Sequence, residues 1–289
     1  MGINTLPDNI ITTLTTYLRG INPGQLWAIF VLELRKSLLS RRILIPLLLA
    51  SIPVVLTTIY SLVTFPDTLE SNLGGTSALY AAVFRAFILR LLVFFACVAV
   101  FTRLVRGDLQ DQVIHYYLLC PVKREVLLVG KYLAGVASVA LCFMASVMIS
   151  YLMIFDASDS ASIEQFVLMG AGKFHLASYL GIILLACFGY GAVFLLFGML
   201  FKNPIIPSGI VLGLEYINFL LPPVMKKVSV IFYLESLCPM PIRESVLSVA
   251  ADPASLPVAL LSLGLVSGVL LAISAWKFRK LEISKGSEA

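Results

Sequence analysis

Charge is scarce in this chain: Asp, Glu, Lys and Arg make up 13% of its 289 residues, while 60% are hydrophobic. A water-soluble domain of that length has no means of keeping so much apolar surface from water, so that class is excluded. Histidine is almost missing. His115 and His175 are the only two, and neither stands in an H-E-x-x-H pattern or near a second ligand. The usual sequence basis for a zinc hydrolase or a Ser-His-Asp triad is therefore absent. The five cysteines (Cys97, Cys120, Cys142, Cys187, Cys238) show no paired spacing. Three lie in apolar runs, where a thiol behaves as a small apolar group, and no disulfide framework is expected. Cys238-Pro239-Met240 offers two soft donors, too few for a metal site, and reads as a turn. There is no phosphate-binding loop: Gly130-Lys131 is followed by Tyr132 and lacks the upstream glycine of G-x-x-x-x-G-K-[ST]. No catalytic residues, no metal and no cofactor are expected in this chain. Its start, Met1-Gly2-Ile3-Asn4, has no basic region followed by an apolar core, so it does not read as a signal peptide. Leu6 stands where myristoylation favours Ser or Thr.

What the chain does have is six long apolar runs: residues 43–66, 83–102, 132–155, 176–201, 204–225 and 254–276, four of them free of charge. A helix rises 1.5 Å per residue, so about 20 residues cross a hydrocarbon core of roughly 30 Å. The expectation is an all-α integral membrane protein with six transmembrane helices. Its parts are an N-terminal segment 1–42, a six-span domain 43–276 and a tail 277–289. Basic residues alternate between the spans. Fifteen of the 21 fall on one side, among them Arg41, Arg42, Arg103, Arg106, Lys123, Lys131, Lys202 and Lys280. The opposite side has Lys173, Lys226, Lys227 and Arg243. The positive-inside rule then puts both termini in the cytoplasm. This bias accounts for the net charge of +5, and no nucleic-acid partner is expected.

Asn22-Pro23 reads as a helix start, and Leu26, Trp27, Phe30, Leu34 and Leu38 recur at helical spacing opposite polar residues. That pattern predicts an amphipathic helix in the membrane interface. The largest cytoplasmic loop, 103–131, has a helical stretch at 108–119, a stop at Pro121, and a second stretch from Arg124 to Lys131 leading into the third span. The turn at 201–204 is short enough to force a tight hairpin. Residues 222–253 are long, apolar and rich in proline, and predict short broken helices re-entering the membrane from outside before the sixth span.

Within the spans, Glu215 lies about ten residues into the fifth run, roughly 15 Å along its axis and near mid-membrane. Arg90 is at a compatible depth in the second run. A carboxylate there must face protein, water or a cation. Two readings stand: a buried Glu215–Arg90 pair that fixes packing, or a polar site beside a translocation path that includes Tyr216 and Asn218. Gly209 and Gly213, like Gly264 and Gly268, are spaced four apart and permit close helix approach.

This arrangement resembles the membrane subunit of ABC transporters of the ABC-2 type, the type V exporter fold. Residues 32–42, LELRKSLLSRR, resemble the segment leading into that family's first span. Residues 117–131, YLLCPVKREVLLVGK, resemble its cytoplasmic loop, L-L-x-x-P-V-x-R followed by apolar residues and G-K. Residues 276–280, WKFRK, also fit. Where the family often has Gly-Thr just ahead of the loop motif, this chain has Gln112-Val113.

The resemblance implies a permease, an exporter by fold, that forms half of a dimeric pathway in the cytoplasmic (inner) membrane. A separate ATPase subunit would supply ATP and Mg²⁺. The second permease chain would be the same or different. The segment 106–117 would dock on the ATPase: Asp108 and Asp111 would meet basic partner residues, Tyr116 and Leu118 would give apolar contact, and Arg106 would stand at its start. Because that family dimerises partly through its fifth span, Gly209 and Gly213 are the expected subunit interface. A secondary transporter or channel working without an ATPase is the competing expectation. It would call for more intramembrane polar groups and an inverted repeat than this sequence offers.

Overall fold

The computed structural model describes residues 23–40, 43–63, 73–110, 124–156, 170, 172–217, 226, 229–240 and 254–280. Every element among them is helical. The first, α1 (Pro23–Leu39), begins on a proline, whose missing N–H costs nothing in a first turn. It stops where the Ser40 hydroxyl turns back to donate to the Ser37 carbonyl at 3.2 Å. Next, α2 (Leu44–Val63) keeps Pro53 in its interior. The Thr57 and Thr58 hydroxyls donate to the Pro53 and Val54 carbonyls there, at 2.9 and 2.7 Å. Both bonds reach back one turn, whereas the acceptor that Pro53 leaves without an N–H is the Leu49 carbonyl four residues before it.

A third, longer rod is built from α3 (Leu73–Val83), a π-helical stretch π1 (Phe84–Val93) and α4 (Phe94–Gln110). Then come α5 (Arg124–Asp156), α6 (Gly172–Leu200), α7 (Ile205–Ile217), the seven-residue α8 (Val230–Ser236) and α9 (Leu256–Lys280).

Five of these elements are long and apolar enough to cross a membrane: Leu44–Val63, Gly74–Leu104, Glu125–Phe155, Gly172–Leu200 and Leu256–Phe278. They mark the chain as a multi-pass membrane protein. The sixth expected span, 204–225, is described only as the 13-residue α7. The expected turn at 201–204 separates it from α6. The second stretch of the loop, from Arg124, runs without a break into α5, as expected. Within 222–253 the described residues include the seven-residue α8, and 222–225, 227–228 and 241–253 lie outside the described residues.

α5 and α6 form the centre. α1 and α2 pack on α5, α4 and α9 pack on α6, and α8 bridges α6 and α9, while α7 barely touches the rest. The core is aromatic. Tyr80, Tyr151, Tyr179 and Phe84 cluster with ring centroids 4.5–6.2 Å apart. Phe94, Tyr190 and Phe194 form a second group. Each buried phenol needs a partner in so dry a place. Tyr80 donates to the Val147 carbonyl at 3.2 Å, Tyr151 to the Gly172 carbonyl at 3.2 Å, and Tyr132 to the Phe188 carbonyl at 2.5 Å. Glycine sets the closest crossing. A Cβ on Gly198 would sit 2.6 Å from the Thr102 carbonyl oxygen, so α4 and α6 touch backbone to backbone. The Phe101 ring is wedged between Gly135 and Gly191, which a Cβ would bring to 3.0 and 2.7 Å.

Candidate functional site

Two charged clusters are built into this apolar frame. The first gathers on π1. A π-helix bonds i to i+5, so residues five apart stack along one face, whereas α-helical winding would separate them by about 140°. Arg85 and Arg90 are such a pair, and both reach Glu235 of α8. Arg90 Nε donates to Glu235 Oε1 at 2.8 Å, its Nη2 lies 2.6 Å from the same oxygen, and Arg85 Nη2 lies 3.7 Å from Oε2. These side chains are 15–20% exposed, so the bridge is largely shielded from water.

Glu215 projects from α7 toward the same region and is buried. It accepts from the Tyr190 hydroxyl and from the Ile231 backbone N–H, each at 3.3 Å. The Ser229 hydroxyl, at the start of α8, is buried beside the same carboxylate. Arg90 therefore bonds Glu235, not Glu215, although the sequence allowed a Glu215–Arg90 pair. The reason is reach. The π1 geometry turns Arg90 toward α8, and α8 delivers its carboxylate there, while Glu215 is taken up by Tyr190 and the α8 backbone. Taking both carboxylates as ionised, two arginines and two glutamates balance, which is how charge is tolerated away from water. Tyr216 points outward, 39% exposed, and does not join the cluster. Asn218 lies outside the described residues.

The second cluster joins α1 to α5. Lys131 Nζ donates to Glu33 Oε1 at 2.7 Å, with side chains 3% and 8% exposed. One position earlier, a Cβ on Gly130 would meet Ile29 Cγ2 at 2.7 Å. The G-K pair thus has a physical reading: the glycine lets α1 come close and the lysine pins it. Beside this junction α1, α4 and α5 enclose a cleft of about 160 Å³.

Of the expected coupling residues, Arg106 and Asp108 fall on the last turns of α4, and Asp111, Tyr116 and Leu118 lie outside the described residues. Gly209 and Gly213 lie on α7, and a Cβ on either would meet nothing within 4 Å. The same holds for Gly264 and Gly268 of α9.

Sequence reasoning missed Glu235, Tyr190 and the Glu33–Lys131 pair. One signal was available: two arginines in an otherwise apolar run need more than one carboxylate, and Glu235 is a lone acid in a short apolar stretch. No protein-family model matches this chain, and no curated protein matches it.

Proposed function

We propose that this chain is the membrane permease of an ATP-driven transporter of the ABC-2 type, an exporter working as half of a dimer with a separate ATPase. The observation that carries this reading is the α1–α5 junction. Glu33 lies in the segment resembling the family's lead into its first span, and Gly130-Lys131 closes the stretch resembling its cytoplasmic loop. These two stretches, 98 positions apart at the bonded pair, meet through a buried ion pair and a close glycine contact. A joined α1 and loop is what a device needs if an ATPase pushing on the loop is to move the spans.

In this reading α7 and the residues after it make the fifth of six spans, and both termini face the cytoplasm. The helix α1 lies in the inner interface, with Trp27 and Leu32 exposed on its outer face. The segment 222–253 re-enters from outside, so the Arg85–Arg90–Glu235 bridge closes the external end of the path. Glu215 then lines or braces that path. The α7 face bearing Gly209 and Gly213 meets the second permease chain. ATP and Mg²⁺ belong to the partner ATPase.

One observation favours the competing reading, a secondary transporter or channel: Glu215 is a buried carboxylate held by neutral donors. Reconstitution separates the two. Vesicles containing the purified chain alone should move no solute, and adding its ATPase with ATP and Mg²⁺ should start transport. Flux from the chain alone would overturn the permease reading. Reversing charge at Asp108 and Asp111 together should lower transport-coupled ATPase activity with normal insertion; unchanged coupling would remove these carboxylates from the contact.

A further inference from the structure

We infer that Arg85 and Arg90 receive the phosphate group of an anionic cargo, which takes the place of Glu235. Two guanidiniums converge on a single carboxylate here, and they meet it incompletely. Arg90 places Nε and Nη2 on the one oxygen Oε1, at 2.8 and 2.6 Å. Arg85 Nη2 stops 3.7 Å from Oε2, outside hydrogen-bond range. Among the described residues Arg85 donates no hydrogen bond, although its side chain is only 15% exposed. A guanidinium carries five N–H donors in a fixed fork that matches carboxylate and phosphate oxygens. The Glu235 carboxylate, held from one side by the α8 backbone, fills one fork and leaves the other open. A phosphate has its oxygens arranged around one centre and offers an edge to each fork.

Exchange preserves the balance of charge. Glu235 leaves and an anion of at least equal charge enters, so no bare charge is created in the apolar frame. The room needed is the volume that the carboxylate vacates. Glu235 is free to withdraw: it is the sixth residue of the seven-residue α8, and the partial exposure of all three side chains opens the bridge on one side. The arginines stay, because π1 brings both toward one face of a long membrane-crossing element. They stand 11 and 16 positions past Gly74, where that element begins. That is well inside the span, a place for a group in transit and not for a resident lipid's headgroup. A ligand that binds only once Glu235 has withdrawn also loosens α8 from π1. Cargo binding and opening of the external end are then one event. This names the cargo class of the path proposed above and rests on that reading. The binding assay contains no ATPase, so its failure and the failure of reconstituted transport are separate results.

The test is titration calorimetry of the full chain in detergent with glycerol phosphate and with phosphatidic acid. Glycerol and diacylglycerol serve as their neutral counterparts. A phosphate-bearing probe should bind and its neutral counterpart should not. Binding of glycerol phosphate supports the site with a soluble cargo; binding of phosphatidic acid alone supports it with a lipid cargo. Arg85→Gln should weaken binding about ten-fold, the worth of one charge-assisted hydrogen bond. Glu235→Gln should strengthen it by a similar factor, because the competing carboxylate is gone. The bound anion should also restore much of the melting temperature that Glu235→Gln loses, which a purely structural bridge would not allow. Arg85→Gln keeps both Arg90 contacts with Glu235, so it decides the matter where Glu235→Gln fails to fold. Binding of neither anion, equal binding of the neutral counterparts, unaltered affinity in Arg85→Gln, or weakened affinity in folded Glu235→Gln would each overturn the proposal.

Discussion

Single side chains carry sharply different loads in this molecule. Lys131 and Glu33 are both buried and bonded to each other at 2.7 Å, so each helps to compensate the other's charge. Removing one member of a buried pair costs about 3–5 kcal/mol, whereas replacing both by apolar groups is often close to neutral. Lys131→Met should therefore lower the melting temperature of the detergent-solubilised chain sharply, and Lys131→Met with Glu33→Leu should recover most of the loss. A single variant that melts with the wild type would show that the pair contributes no stability. The two carboxylates of the other cluster should also behave differently from each other. Glu235→Gln strands two arginines and should destabilise strongly. Glu215→Gln keeps an oxygen to accept from Tyr190 and Ile231, so its fold should survive. Glu215→Leu leaves both donors unmet, at about 1–3 kcal/mol each. Melting curves rank the three. In the Gln variant, transport then reports any role of the charge itself: lost flux with normal melting supports a place on the path.

Among the elements, the long helices were legible because a bilayer demands about 20 apolar residues and nothing else in this chain produces such runs. The helix start at Pro23, the turn at 201–204 and the run of helix from Arg124 followed from local chemistry. The π1 stretch did not. Nothing in FRAFILRLLV distinguishes i→i+5 bonding from the i→i+4 bonding of an α-helix, so the approach of Arg85 and Arg90 to one face was hidden, and with it the partner of Arg90. The Glu33–Lys131 pair was hidden for another reason. Ninety-eight positions separate its members, and hydrophobic periodicity says nothing about which helices become neighbours. Crossings between helices give a graded prediction. Gly198→Ala forces a methyl against Thr102 backbone, which no side-chain change can relieve. Gly191→Ala meets only the tip of the Phe101 ring, so Phe101→Leu should rescue it. Scanning fluorimetry should show Gly198→Ala as the more damaging of the two, and rescue for Gly191→Ala alone. Equal damage would mean that α4 shifts as a whole to make room.

For the whole molecule, what is left uncovered matters most. α7 exposes Ile205, Ile206, Ile210 and Leu214 and has little contact with the other helices. Its glycines have open space beside them. Gly209→Leu with Gly213→Leu should therefore leave the folded chain as stable as before, or slightly more so, because leucine favours helix over glycine by several tenths of a kcal/mol or more. Under the proposed dimer the same change should cut intersubunit cross-linking severely. Full cross-linking yield in that variant would move the interface elsewhere. The pairing of unchanged melting with lost association distinguishes a contact between chains from packing within one.

α5 is a rod. Its 33 residues reach about 50 Å, well past a hydrocarbon thickness of roughly 30 Å. Near one end it is clamped to α1 by Lys131; toward the other, Tyr80 bonds Val147 and Ser150, tying it to α3. A lever fastened at two places cannot absorb force by bending freely: it tilts, and it drags what it is tied to. A tilt of about 5° about one end swings the other by roughly 4 Å over a rod of that length. The ties at Lys131 and Val147 are about 24 Å apart along it, so the same tilt delivered through α1 would arrive at α3 as a displacement of roughly 2 Å, and the two arginines next along that part of the frame would be carried with it.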